Sequence, residues 1–159
     1  AFLMPMPAVG ELAPDFEVET DTGATLRLSD LRGQRVILYF YPQADTPGCT
    51  KQACNFRDSF HQFTERGVVV LGASPNTVAE QAAFKQKYNL PFTLLADPDH
   101  QLADQYGLWG THQILYQGVQ YETTGVRRST LIIDPDGRVT YSQFGVDPAN
   151  NTQEVLDLL

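Results

Sequence analysis

The 159 residues contain two cysteines, and both fall in YFYPQADTPGCTKQACNFRD, residues 39–58. Cys49 follows Pro47-Gly48, where a polar loop runs into a helical pattern. Free backbone N–H groups and the positive end of a helix dipole favour an anion there, and Thr46 and Thr50 bracket it with hydroxyl donors. An ordinary thiol, with a pKa near 8.5, is only about 3% ionised at pH 7, whereas one shifted to about 6 would be roughly 90% thiolate. That shift corresponds to about 3.4 kcal/mol of preferential stabilisation. The thiolate is the nucleophile, so the chemistry that this position suits is nucleophilic attack by sulfur. The alternative, a small buried apolar residue, suits the middle of an apolar face better than a helix entrance.

Cys54 lies five residues further along. In an intact helix the two Cα atoms would be roughly 8.6 Å apart, beyond the limit of about 7 Å for a disulfide without backbone movement. If the two cysteines pair, the first turn or two of the helix must unwind. If they do not, Cys54 is a partly buried helix residue.

The elements that must hold these thiols follow from patterning. Phe16, Val18 and Thr20, the turn Asp21-Thr22-Gly23, and Thr25, Leu26 and Leu28 read as an N-terminal β-hairpin. Ser29 to Gly33 reads as a short capped turn. Val36 to Tyr41 is a continuous apolar run, the mark of a strand buried on both faces, and Pro42 ends it. Ala53, Phe56, Phe60 and Phe63 share one helical face, which predicts a helix from about Thr50 to Glu65 with Gly67 closing it. A strand over 68–73, a helix over 76–88 capped by Asn76 or Thr77, a strand over 92–95 and a short helix over 99–106 follow. Residues 108–126 read as a loop or an excursion carrying a small hairpin. Pro135-Asp136-Gly137 joins strands over 129–134 and 138–144 as a hairpin, and 152–159 reads as a last helix. This order predicts a thioredoxin-like α/β fold: a three-layer sandwich with a central mixed sheet and an N-terminal β-hairpin.

The length suits one domain over residues 1–159, with 1–8, rich in proline, as a flexible extension. Nineteen acidic against eleven basic residues, a net charge of −8, argue against nucleic acid or an anionic membrane as partner. No apolar run reaches the 18 or so residues of a membrane span. His61, His100 and His112 have no metal-ligand spacing, so no metal is expected, and no phosphate-binding glycine loop implies a nucleotide cofactor.

The 39–58 segment resembles the active-site segment of the peroxiredoxins, in particular the bacterioferritin comigratory protein or peroxiredoxin Q subgroup. The resemblance rests on Pro-x-x-x-Thr-x-x-Cys over Pro42, Thr46 and Cys49 and on the second cysteine after four intervening residues. It extends to APDF at 13–16, YNLPFTLLADP at 88–98 and GVRRSTLIIDPDGRV at 125–139. It implies a thiol peroxidase in which Cys49 attacks hydrogen peroxide or an alkyl hydroperoxide and becomes a sulfenic acid. By the same resemblance Thr46 holds the peroxide, Pro42 screens the pocket from water, and Cys54 resolves the sulfenic acid as an intramolecular disulfide. A thioredoxin-type dithiol then restores both thiols.

The family's arginine has two candidates, Arg127 and Arg128. Counting back from Asp134 favours Arg128, and adjacent strand residues point to opposite faces. Many peroxiredoxins carry Glu three residues after the reactive cysteine. Here it is Gln52, to which no catalytic role is assigned. A monomer is expected, in a reducing cytoplasm, with an organelle or an exported compartment after removal of a targeting segment as the alternative. Two other functions fit two cysteines: a thiol–disulfide oxidoreductase, which usually carries CxxC, and a redox-sensing binding module. Neither needs the Thr46–Cys49–Arg128 set.

Overall fold

The computed structural model describes residues 5–159, and strand Arg35–Phe40 (β3) runs through its centre. Successive strand side chains point to opposite faces, so Val36, Leu38 and Phe40 enter one core while Ile37, Tyr39 and Tyr41 enter the other. Both cores are buried, which is why the run carries no polar residue. β3 pairs in parallel with Val68–Ser74 (β4), and β4 in parallel with Thr93–Ala96 (β5). On its other side β3 meets Ser129–Ile133 (β8) antiparallel, and β8 meets Val139–Phe144 (β9). The five-stranded order is β5-β4-β3-β8-β9.

Helices Pro47–Asp58 (α1), Phe60–Glu65 (α2), Val78–Tyr88 (α3) and Asn151–Asp157 (α5) supply the core on the Tyr39 face. Gln101–Gln105 (α4) covers the other face. With it lie the small N-terminal hairpin of Glu17–Glu19 (β1) and Thr25–Arg27 (β2) and the buried base of a second hairpin. The result is the thioredoxin-like three-layer α/β sandwich that the patterning led to expect.

Local signals explain most boundaries. Thr77 caps α3 in a capping box with Glu80, and Asn89 ends the helix in the left-handed region at φ 53°. Asp97 opens α4 by accepting from the N–H groups of Leu102 and Ala103, both at 3.0 Å. Two stretches differ from expectation, and a third is more regular than expected. The helix expected over 50–65 starts at Pro47, whose missing N–H costs nothing in a first turn, and it breaks at Ser59 into α1 and α2. The small hairpin expected within 108–126 is a regular two-stranded ladder, Trp109–Tyr116 (β6) with Val119–Val126 (β7). Its turn, Gln117-Gly118, has both φ angles positive. Of the extension expected over 1–8, residues 1–4 lie outside the described residues. Pro7 is buried, and its carbonyl accepts from the Ser142 hydroxyl at 2.7 Å, so that part lies against β9.

Tyr39 fixes the spacing between the two central strands. It pairs with Gly72 across β3 and β4 and stacks on Phe56 of α1, with ring centroids 4.7 Å apart. A Cβ at Gly72 would lie 2.8 Å from Tyr39 Cζ and 2.9 Å from its hydroxyl. Gly72→Ala is therefore expected to destabilise the fold by about 1–3 kcal/mol through overpacking. A lowered urea midpoint reads this out; an unchanged midpoint would show that the ring can shift.

Candidate active site

β3 delivers the chain to the site. Tyr41 N–H donates to Ala73 O at 2.9 Å, the last rung before Pro42 leaves the sheet. The loop that follows is tied to α3 and to the end of β4. Ala44 N–H donates to Asn76 Oδ1 at 3.0 Å, and Asp45, with φ 62°, accepts from Lys87 Nζ and the Tyr88 hydroxyl at 2.7 Å each. These hydrogen bonds, Lys87 first and then Tyr88, hold the Asp45 carboxyl below the usual carboxylate range. With its folded pKa depressed, the tie is complete above the ordinary carboxylate range and is lost as pH falls through the lower folded value.

Thr46 is the N-cap of α1, and its carbonyl accepts from Thr50 N–H at 2.8 Å. Cys49 sits in the first turn, 1% exposed, as a free thiol. Arg128, just before β8, spans this turn with its planar fork. Nη2 donates to Cys49 Sγ at 3.3 Å, and Nη1 donates to Gln52 Oε1 at 2.7 Å. Cys49 and Gln52 are three residues apart on one helical face, so a single guanidinium meets both, which a lysine ammonium could not match. Gly48 permits the approach, because a Cβ there would come within 3.2 Å of Nη2.

Cys49 shares a buried cluster with Tyr39, Tyr41 and Phe56. Tyr39 is fully buried, and burial pushes its phenol well up; Tyr41, Cys49 and Cys54 add to the rise and Arg128 opposes it. It therefore stays neutral. Arg127, the neighbouring candidate, lies over the Phe144 ring at 3.9 Å. Cys54 is half-buried on α1 and also a free thiol, roughly 140° around the helix from Cys49.

The structure thus brings Cys49, Arg128 and the N-cap Thr46 to one helix entrance. Thr46 Oγ1 donates to Gln43 O at 2.9 Å. Pro42 is exposed and forms rim, not buried wall. Two residues without a role in the sequence reading join the site. Gln52 is fully buried, and its Nε2 donates to Asn151 Oδ1 of α5 at 2.9 Å. Its position three residues after Cys49 was the available signal for Gln52; nothing local marked Asn151. Among the described residues no group of three or more His, Cys, Asp or Glu could hold a metal ion.

The chain matches the model of the AhpC/TSA family over residues 9–142. A putative peroxiredoxin bcp of Coxiella burnetii is 50% identical over 132 residues, 83% of this chain and 85% of that protein. Peroxiredoxin Bcp of Bacillus subtilis is 41% identical over 151 residues, 95% of this chain and 94% of that protein. Among solved structures, peroxidoxin BcpB of Mycobacterium tuberculosis superposes with a TM-score of 0.81 at 33% identity, covering 95% of both chains.

Proposed function

The chain belongs to the AhpC/TSA family and is a thiol peroxidase of the peroxiredoxin kind, and on that premise we propose that Cys49 is the thiol that attacks the peroxide. The observation that carries this is the Arg128 fork on Sγ: a guanidinium within hydrogen-bond distance of a sulfur at a helix start. Both features favour the thiolate.

The Cys49 thiolate attacks one oxygen of hydrogen peroxide or an alkyl hydroperoxide. The O–O bond breaks, sulfur loses two electrons to become the sulfenic acid, and the other oxygen leaves as hydroxide or alkoxide and takes a proton. Arg128 N–H groups meet the charge that develops on this leaving oxygen. Thr46 has given its only proton to Gln43 O, so its oxygen is left as an acceptor for the peroxide O–H. Pro42 at the rim offers no N–H to water. The Cys54 thiol then attacks the sulfenic sulfur and expels water, forming the intramolecular disulfide, and a thioredoxin-type dithiol reduces it by exchange. The attacking and resolving thiols lie on one helix, so the cycle needs no second chain, which suits a monomer. The dithiol step fits a reducing compartment such as the cytoplasm. A simple disulfide oxidoreductase needs a thiolate but no donor for a leaving hydroxide or alkoxide, which is the role Arg128 adds here.

Stopped-flow mixing of the reduced protein with hydrogen peroxide tests this. One equivalent is expected to be consumed at least about 10²-fold faster than by a free thiol at the same pH, beyond the roughly 30-fold that full ionisation alone can give. A rate no faster than the free thiol would sink the proposal.

A further inference from the structure

A buried relay of side chains leads from Arg128 to the last helix. Arg128 Nη1 donates to Gln52 Oε1 at 2.7 Å, Gln52 Nε2 donates to Asn151 Oδ1 at 2.9 Å, and Thr130 Oγ1 donates to that same oxygen at 2.9 Å. Gln52, Thr130 and Asn151 are all 0% exposed. Its direction is set from one end. A guanidinium can only donate, so Gln52 must turn its oxygen towards Arg128 and its NH2 group onwards. Asn151 must then answer with its own oxygen.

The consequence is visible in what Asn151 leaves over. Its Nδ2 is buried and has no hydrogen-bond partner among the described residues. A buried donor stranded in this way is costly to leave unmade. Turning the Asn151 amide round would not relieve it, because NH2 would then face the NH2 of Gln52 and the Thr130 hydroxyl would lose its acceptor. An apolar residue at 151 would remove the stranded donor but strand Gln52 Nε2 instead. A carboxylate would accept both bonds, but would set a negative charge two hydrogen bonds from the guanidinium and weaken its pull on the thiolate. A neutral oxygen at this point leaves the positive charge of Arg128 undiluted at Cys49.

We propose that Asn151 is a positioning residue for the Cys49 thiolate: it orients the Gln52 amide, and through it holds the Arg128 fork on Sγ. The inference rests on Cys49 being the attacking thiol.

The test is a double-mutant cycle on the full chain, read by stopped-flow with hydrogen peroxide across a range of pH. Asn151→Ala is expected to slow the reaction roughly tenfold, the effect of losing one bond in a charge-assisted relay, and to move its pH profile upwards. In an Arg128→Ala background the same substitution is expected to change the rate by less than about twofold, since the fork it steadies is gone. Thr152→Val, a neighbour on the same helix whose buried hydroxyl also has no partner, is expected to leave the rate within about twofold of wild type. Equal slowing in both backgrounds, equal slowing by Thr152→Val, or no slowing by Asn151→Ala would overturn the proposal. Should Asn151→Ala not fold, Asn151→Ser, too short to reach Gln52 Nε2, is expected to slow the reaction to a similar degree, and a rate within about twofold of wild type overturns the proposal equally. A fast wild type with Asn151→Ala equally fast refutes only the relay. A wild type as slow as a free thiol refutes the reading of Cys49 itself.

Discussion

Arg128→Ala is expected to slow the reaction of the reduced protein with hydrogen peroxide by about 10²–10³-fold, the loss that follows removal of one preorganised donor from developing charge. Two contributions combine. In the ground state the thiolate loses the cation that touches it at 3.3 Å, so the pH profile moves upwards. In the transition state the leaving oxygen loses its donor, so the plateau rate falls even at high pH. The truncation also strands Gln52 Oε1, whose partner is Arg128 Nη1. Arg128→Lys restores the charge but not the fork and is expected to recover only part of the loss. Arg127→Ala serves as the comparison: its guanidinium lies on the Phe144 ring, and its removal is expected to change the rate by less than about threefold. If Arg127→Ala proves the more damaging of the two, the assignment is reversed.

Cys54→Ser is expected to consume one equivalent of peroxide at close to the wild-type rate and then stop, with Cys49 held as sulfenic acid and turnover with a dithiol reductant lost. The first step survives because Arg128 meets Cys49 and Gln52 and no interaction with Cys54 supports it. The second step fails because an intramolecular resolving thiol is absent. In the wild type this step has a structural requirement. In intact α1 the two Cα atoms are roughly 8.6 Å apart, too far for a disulfide, so the helix start must unwind. Two ties to the C-terminal segment then have to break: Gln52 to Asn151 at 2.9 Å and Asn55 Nδ2 to Ala149 O at 3.2 Å. Peroxide is therefore expected to reduce the helical far-ultraviolet signal of the wild type but not of Cys54→Ser. Full turnover of Cys54→Ser with a dithiol donor would exclude Cys54 as the resolving thiol.

The central strand and the helix entrance were legible in the sequence because each rests on a short-range rule. An unbroken apolar run means burial on both faces, and Pro-Gly before a helical pattern marks a first turn. Arg128 was reached through the family resemblance instead, since Arg127 and Arg128 lie between β7 and β8, outside either strand. The misses have a different origin. The stripe of Ala53, Phe56, Phe60 and Phe63 suits a single helix, but Phe60 is only half-buried, and the axis turns at Ser59. The β6–β7 hairpin was expected only without strand bounds, because its outer pairs, such as Ile114 with Tyr121 and Tyr116 with Val119, are exposed and give no buried face to alternate against. The Gln52–Asn151 bond joins residues 99 positions apart, and no periodicity within one element can report it. The donation of the Thr46 hydroxyl to Gln43 O is a loop property visible only after folding.

The break at Ser59 makes α1 a cooperative unit with its own boundaries. Its C-terminal half is held by Phe56, fully buried against Tyr39, and by Arg57 Nη1 on Tyr88 O at 2.8 Å. Beyond Ser59, α2 hydrogen-bonds independently. Unwinding that begins at Thr46 therefore meets a barrier just past Cys54 and stops there, before the aromatic core opens. Local unfolding of this kind releases a few residues instead of a domain, and the disulfide it permits closes a loop of six residues, for which chain-entropy stabilisation is only about 2 kcal/mol. With Cys54 as the proposed resolving thiol, the oxidised state would be held by a short, weakly stabilising ring set against a helix able to reform, and refolding of that helix would favour release of the disulfide to the next thiol.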